Sequence, residues 1–275
     1  MNELRENYLK NGYVIIKNFF NKEKIIKTRE NLITTNILNF EILDHLDIQD
    51  LILNKKFFDL FKEILGCKKL LYFSDSSVSI IENIEDCQTG FHVDSRNEDF
   101  NFNKEYPIAR AGIYMQNVSD YSGGLKIRPK SQNSYCINNF NQSIKNIFIE
   151  KILKRNSHFN IDFIHQNIQP NLNVGDLIIW NLRLHHSGAS WRYKFNKNLS
   201  LHPFLDKLMP KFTKISPQFK KNRTALFIAF ANGDVSDINV SNYINRKLKE
   251  KKIFSTNENL TKRLSKENVL FINKI

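Results

Sequence analysis

The sequence predicts a mainly β core with helical flanks, and three observations predict it. From about Leu70 the chain breaks into short apolar, β-branched runs separated by Gly, Asn, Asp and Ser, the texture of a sandwich or barrel. Apolar residues at helical spacing are confined to the stretches before residue 70 and after about Ser241. Hydrophobic residues make up 41% of the chain and aromatics 12%, with 22 Phe, enough to fill one sizeable core in 275 residues. There is no internal repeat or low-complexity linker. The expected organisation is therefore a single domain over 1–275, with a helical flank over 1–70, a double-stranded β-helix (jelly-roll, cupin-like) core over 70–235 and a helical segment over 240–275.

Each element has a local cause. Glu3 to Lys10 reads as a helix stopped at Asn11-Gly12, where glycine accepts the left-handed conformation. Tyr13-Val14-Ile15-Ile16-Lys17 is a short β-branched strand, and Asn21 can cap a helix from about Lys22 to Leu32. Phe57, Phe58, Phe61, Ile64 and Leu65 fall on one side of a helix from Asn54 to Leu65, ended by Gly66. Strands are expected at Leu70–Phe73, Val78–Asn83, Phe91–Asp94, Ile108–Gln116 and Leu125–Arg128, then more clearly at Leu177–His186 and Thr224–Phe230.

Composition excludes several classes. No apolar run approaches the roughly 18 residues of a membrane span, and the acidic start Met1-Asn2-Glu3-Leu4-Arg5-Glu6-Asn7 lacks a signal-peptide core. Cys67, Cys87 and Cys136 are too scattered for a zinc set or disulfide framework, which suits a reducing, cytoplasmic setting. The net charge of +13 would suit an anionic partner, but it is spread as lysines with no arginine-rich arm or groove-reading motif, so nucleic acid is not the expected partner. The run from Arg246 to Lys252 reads as the solvated face of a C-terminal helix.

The most chemically loaded spacing is Gly90-Phe91-His92-Val93-Asp94. Side chains two apart on a strand share a face, so His92 and Asp94 would aim an imidazole and a carboxylate at one point, two ligands of a facial His/His/carboxylate iron site. Of the other histidines, His45 lies in a helical region, His158 and His165 in a polar loop, and His202 precedes a proline. In the strand opened by Gly175-Asp176, one face carries Ile178, Trp180, Leu182, Leu184 and then His186; the other carries Asn181, Arg183 and His185. Alternation therefore selects His186 as the inward ligand and leaves His185 outside. A 2-oxoglutarate co-substrate needs a cation for its far carboxylate. Arg223 opens an apolar strand beside Ala225, Phe227 and Ala229, whereas its rival Arg192 sits in a loop.

The chain resembles the phytanoyl-CoA dioxygenase family of iron(II)/2-oxoglutarate oxygenases over roughly residues 5–250. The resemblance rests on the opening Tyr8 to Lys17, on His92-x-Asp94, on Gly175 to Gly188 with a histidine three residues after Arg183, on Arg110 to Gln116 followed by Gly123-Gly124-Leu125, and on Arg223. Where relatives commonly have Pro-Gly-Ser-His, this chain has Pro129-Lys130-Ser131-Gln132. The resemblance implies an oxygenase in which His92, Asp94 and His186 hold Fe(II) and Arg223 pairs with 2-oxoglutarate. O2 is the oxidant, and a small-molecule substrate is hydroxylated or otherwise oxidised. Asp94 fills the position that related halogenating enzymes leave free, which favours hydroxylation.

Tyr114 and Gln116 share a strand face with Gly112 and are candidates for the co-substrate's surroundings, as is Ser187. Lys126, Arg128 and Lys130 would either meet an anionic, carrier-linked or nucleotide-linked metabolite or form one exposed strand face, the latter being preferred. Loops over 95–107, 129–172 and 187–222 are expected to set specificity. Competing readings are a non-enzymatic jelly-roll binding module, a zinc hydrolase, which leaves Arg223 without a task, and a nucleic-acid demethylase.

Overall fold

The computed structural model describes residues 2–35, 42–82, 90–95, 105–133, 167–217, 223–235, 238–250 and 258–272. His158, His165, Cys87 and Cys136 lie outside them, as do parts of the three expected specificity loops.

The N-terminal flank follows its local signals. Helix α1 (Glu3–Asn11) ends where Gly12 turns left-handed at φ 82°, and its amide closes on the Tyr8 carbonyl. A Cβ on Gly12 would fall 2.3 Å from the Gln132 side-chain oxygen, so the position also admits a close neighbour. Strand β1 (Tyr13–Ile16) leads to α2 (Lys22–Thr35), whose start is held by the Asn21 side chain accepting from the Lys24 amide. Helix α3 (Leu46–Ile52) precedes α4 (Lys55–Leu65), which the Asn54 side chain caps at Phe57 and Gly66 terminates.

Among the described residues nine strands then form two sheets. They are β1, β2 (Leu70–Tyr72), β3 (Ser76–Ile81), β4 (Ile108–Tyr114), β5 (Gly124–Ile127), β6 (Leu177–Asn181), β7 (His186–Ser190), β8 (Arg223–Asn232) and β9 (Val269–Phe271). Seven make one sheet in the order β1-β6-β4-β8-β2-β9, with β3 also paired to β8; β5 and β7 make a two-stranded ribbon. This is a jelly-roll core with helical flanks, without closure into a barrel. Strand β8 is its spine, pairing antiparallel with β2, β3 and β4.

Alternation along these strands sorts the core into two layers. Ala109, Ala111, Ile113, Leu177, Ile179, Leu226, Ile228 and Phe230 face the N-terminal helices, where Phe57, Phe58 and Phe61 crowd around Phe230. Tyr114, Ile178, Trp180 and Ala225 face the ribbon residues Leu125 and Ile127. Helix α5 (Pro203–Leu208) lies between β7 and β8. Helix α6 (Ile238–Glu250) covers one end of the inner layer, packing Val240, Tyr243, Ile244 and Leu248 against Phe73, Ala229 and Ala231. Helix α7 (Glu258–Lys266) delivers β9, which pairs parallel with β2.

Three expectations are corrected. The run 177–186 is two strands rather than one. The Asn181 side chain accepts from the Arg183 amide, and the Leu184 amide donates to the Asn181 carbonyl, so the chain turns and His186 opens β7 in the other sheet. Phe91–Asp94 is not a ladder strand; it makes a single bridge, His92 to His186. Lys126 and Arg128 are not an exposed face: they are 0% and 1% exposed. The Lys126 ammonium is bonded to Asp206 at 2.6 Å, and Arg128 lies 4.1 Å over the Phe91 ring. Only Lys130 of that trio is exposed.

Candidate metal centre

His92 and His186 are placed side by side by their own backbones. Each amide donates to the other's carbonyl at 2.9 Å, and the rings end 4.4 Å apart. Asp94 is fixed by its amide, which donates to the Leu182 carbonyl at 3.0 Å. One potential ligand atom from each of His92, Asp94 and His186 then lies within 4.8 Å of the others. The three residues meet as the spacing suggested, but through bonds between distant segments rather than along one strand.

The donor chemistry fits a divalent metal. In both histidines Nδ1 lies 3.0 Å from a carbonyl oxygen two residues earlier, Gly90 for His92 and Leu184 for His186. A carbonyl only accepts, so Nδ1 carries the proton and each Nε2 is left with a lone pair. Burial depresses the His186 pKa to about 4, the opposing pull of Asp94 being smaller, so the ring is neutral at physiological pH. Burial alone would raise the Asp94 carboxyl; Arg110, His186, His92 and the Trp180 indole outweigh it and hold its pKa at about 2. Two imidazoles and one carboxylate brought together match the non-haem iron donor set.

Behind Asp94 stands a largely buried charge relay, its side chains 11–15% exposed, that sequence reasoning missed. Arg110 on β4 reaches Asp94 at 3.0 Å with one terminal nitrogen and both Asp75 oxygens at 2.7 and 2.8 Å with the other. Tyr243 on α6 donates to Asp75 at 2.7 Å, and the Trp180 indole donates to the second Asp94 oxygen at 3.3 Å. Arg110 loses to burial but gains more from Asp75 and Asp94, and stays charged. A lone arginine inside the run Ile108-Ala109-Arg110-Ala111-Gly112-Ile113 was the available signal, because an arginine rarely enters such a strand without a carboxylate to meet it. Gly112 makes room for Trp180: a Cβ there would lie 2.8 Å from the indole ring.

The triad opens on a cavity of about 540 Å³ that Arg110, Tyr114, Trp180, Arg223 and Phe227 also line. Arg223 is 4% exposed at the mouth of β8; its Nε donates to the Gly123 carbonyl and its guanidinium sits 5.3 Å from the Tyr114 ring centre. Burial raises the Tyr114 phenol, with Arg223 pulling it back in part. Two candidates fall outside the cavity wall. Gln116 accepts from the Thr224 amide and so pins β8 beside Arg223, and Ser187 is fully buried on β7 opposite Lys126. The rival Arg192 is a clamp, donating to the Val118, Lys197 and Pro170 carbonyls. His185 stays apart from the triad, its amide held by the Ser131 hydroxyl. Gln132 donates to the Leu9 carbonyl and ties α1 to the core.

No protein-family model and no curated relative matches this sequence. Solved structures do. The fold is shared with non-haem, α-ketoglutarate-dependent enzymes. The carbocyclase SnoK from nogalamycin biosynthesis is 14% identical with a TM-score of 0.56, the match covering 88% of this chain and 90% of SnoK. The epimerase SnoN, in complex with Fe3+, α-ketoglutarate and nogalamycin RO, is 13% identical with a TM-score of 0.53, over 83% and 82% of the two chains. EctD from S. alaskensis, with 2-oxoglutarate and 5-hydroxyectoine, is 11% identical with a TM-score of 0.52, over 85% and 77%. At these identities the likeness is one of fold.

Proposed function

We propose that this chain is an iron(II)/2-oxoglutarate-dependent oxygenase acting on a small molecule, related to the phytanoyl-CoA dioxygenase family. The observation that carries the reading is the convergence of His92, Asp94 and His186 on a cavity whose wall also holds Arg223. When bound, iron(II) and 2-oxoglutarate would supply the oxidising chemistry: O2 is consumed, 2-oxoglutarate becomes succinate and CO2, and a substrate C–H bond is oxidised.

The chain's own residues divide the remaining work. The two imidazoles and Asp94 hold the metal, with Nδ1 of each ring anchored so that Nε2 points to it. Arg223 receives the far carboxylate of the co-substrate as a guanidinium, a geometry suited to two parallel hydrogen bonds. Tyr114 borders the same space, and Trp180, Phe227 and Leu125 exclude water from it. Arg110 keeps Asp94 ionised and aimed. A carboxylate at position 94 favours hydroxylation, or another oxidation by hydrogen removal, over halogenation.

Anaerobic addition of Fe(II) and 2-oxoglutarate tests this. The expected result is a visible metal-to-ligand charge-transfer band, abolished in His186→Ala and weakened or shifted in Arg223→Ala. Absence of the band in folded wild-type protein would refute the oxygenase assignment and leave a jelly-roll binding module. A band unaffected by Arg223→Ala would remove that residue from the co-substrate site.

A further inference from the structure

The excursion between β7 and β8, residues 191–217, carries features that the metal centre does not use. It folds back on itself: Tyr193 bridges Lys214 antiparallel, and the Lys194 amide donates to the Thr213 carbonyl at 2.9 Å. That pairing brings Phe195 and Phe212 to the same end, with Leu208 four residues before Phe212. Phe195 is 61%, Leu208 66% and Phe212 76% exposed. A single exposed phenyl ring is ordinary; three large apolar side chains exposed within one excursion, two of them brought near by its pairing, mark a candidate contact surface.

The excursion's own exposed charges are of one sign. The exposed charged residues of 191–217 are all lysines, Lys194, Lys197, Lys207 and Lys211; Lys197 is bonded to Asp120, and Lys207 and Lys211 have partners of their own while keeping their charge at the surface. The excursion's acid, Asp206, is taken out of the surface altogether. It is fully buried, accepting from Lys126 at 2.6 Å and from the Tyr193 hydroxyl at 2.5 Å. Arg192, also fully buried, ties the base of the excursion to the Val118 and Pro170 carbonyls. The apolar side chains are thus presented from an anchored base, on an excursion whose own exposed charges are ammonium groups.

We propose that this tip docks on an anionic lipid bilayer. Projecting phenyl and leucyl groups suit the boundary between headgroups and acyl chains, and lysines beside them suit a negative leaflet. The net charge of +13 adds long-range attraction of the same sense. A protein partner would have to offer a concave apolar pocket rimmed by acids. A nucleic acid would favour arginine, and the excursion's arginine is buried.

The base of the excursion packs against the cavity wall. Ala189, Trp191 and Tyr193 pack with Ile81 and Met209, and both Ala189 and Ile81 line the cavity of the metal centre. Docking would bring that wall to the bilayer. Resting on the oxygenase reading, this makes the substrate an amphipathic, bilayer-resident molecule; the docking itself is independent of that reading.

The test is co-sedimentation of the whole protein with phosphatidylcholine vesicles, with and without phosphatidylserine. The expected result is binding that requires phosphatidylserine and weakens with salt. It should fall at least about tenfold in the combined variant Phe195→Ser, Leu208→Ser, Phe212→Ser, and clearly in Lys207→Glu with Lys211→Glu. Melting temperature and the Fe(II)/2-oxoglutarate band, read on each variant, report folding and the metal centre separately. No preference for phosphatidylserine vesicles, or undiminished binding by the folded triple variant, would overturn the proposal. So would a self-associated protein that the triple variant turns monomeric without any vesicle binding, which would put a second copy on the patch.

Discussion

Replacing Arg110 by methionine isolates the charge relay behind the metal centre. The substitution keeps most of the side-chain volume but removes a guanidinium that contacts Asp94 at 3.0 Å and Asp75 at 2.7 Å. Two carboxylates with side chains only 11% exposed are then left facing each other without a cation. Breaking a buried pair by deleting one partner costs about 3–5 kcal/mol. For a chain of this size that is a fall in melting temperature of roughly 6–20 °C.

The sign of its pH dependence is also determined. Against burial, Arg110 and the neighbouring imidazoles hold the Asp94 pKa at about 2, below its ordinary value of 3.8, so it contributes stability above the unfolded value that is lost as pH falls toward 2. Without Arg110, burial raises that folded pKa, and the deficit relative to wild type should be greatest near neutrality and shrink below about pH 4. Denaturant titrations of metal-free protein at several pH values measure both. Divalent cobalt should restore part of the loss, since it supplies the missing positive charge at Asp94. A loss under about 1 kcal/mol, or a deficit that grows on acidification, would refute the relay.

Three further outcomes follow from other contacts. Lys126→Met should cost about 3–5 kcal/mol by leaving Asp206 buried without its cation, while the double variant with Asp206→Leu should recover most of it; denaturant midpoints decide. Gly112→Ala should destabilise by about 1–3 kcal/mol and shift the Fe(II)/2-oxoglutarate band, because the new methyl group meets the indole that holds Asp94. Burial works against the Asp176 carboxylate, but Lys17 and the Asn173 and Asn18 amides outweigh it and lower its pKa. It therefore stabilises the fold above the unfolded value and loses that contribution as pH falls through its depressed folded one. Asp176→Asn should flatten the acid limb of the stability profile.

Much of this architecture is written locally. Gly12, Asn54 and Gly66 mark helix ends by rules that need no tertiary information, and all three act as caps. The His92-x-Asp94 pair was legible because its spacing is chemical. The break between β6 and β7 was not, because Leu182 and Leu184 continue the apolar alternation straight through the turn; only the Asn181 side chain betrays it. Alternation therefore selected His186 although the strand behind that argument stops at Asn181. Lys126 and Arg128 looked solvent-facing because what buries them comes from far along the chain, Asp206 lying 80 residues away. Strand β9 pairs with a segment some 200 residues earlier, and no window of sequence reveals that.

The paired amides of His92 and His186 have a consequence for which metal the protein carries. With backbones bonded to each other and both rings held at Nδ1, the three candidate ligands are gathered within 4.8 Å of one another before any ion arrives. A receptacle whose ligands are gathered in advance has little means of rejecting a competitor by refusing to assemble. Occupancy should then follow the general ranking of divalent ions, with copper and zinc ahead of iron at equal concentration. Iron would hold the site because cells keep its rivals scarce, so protein purified without that protection should emerge loaded with the wrong metal and inert.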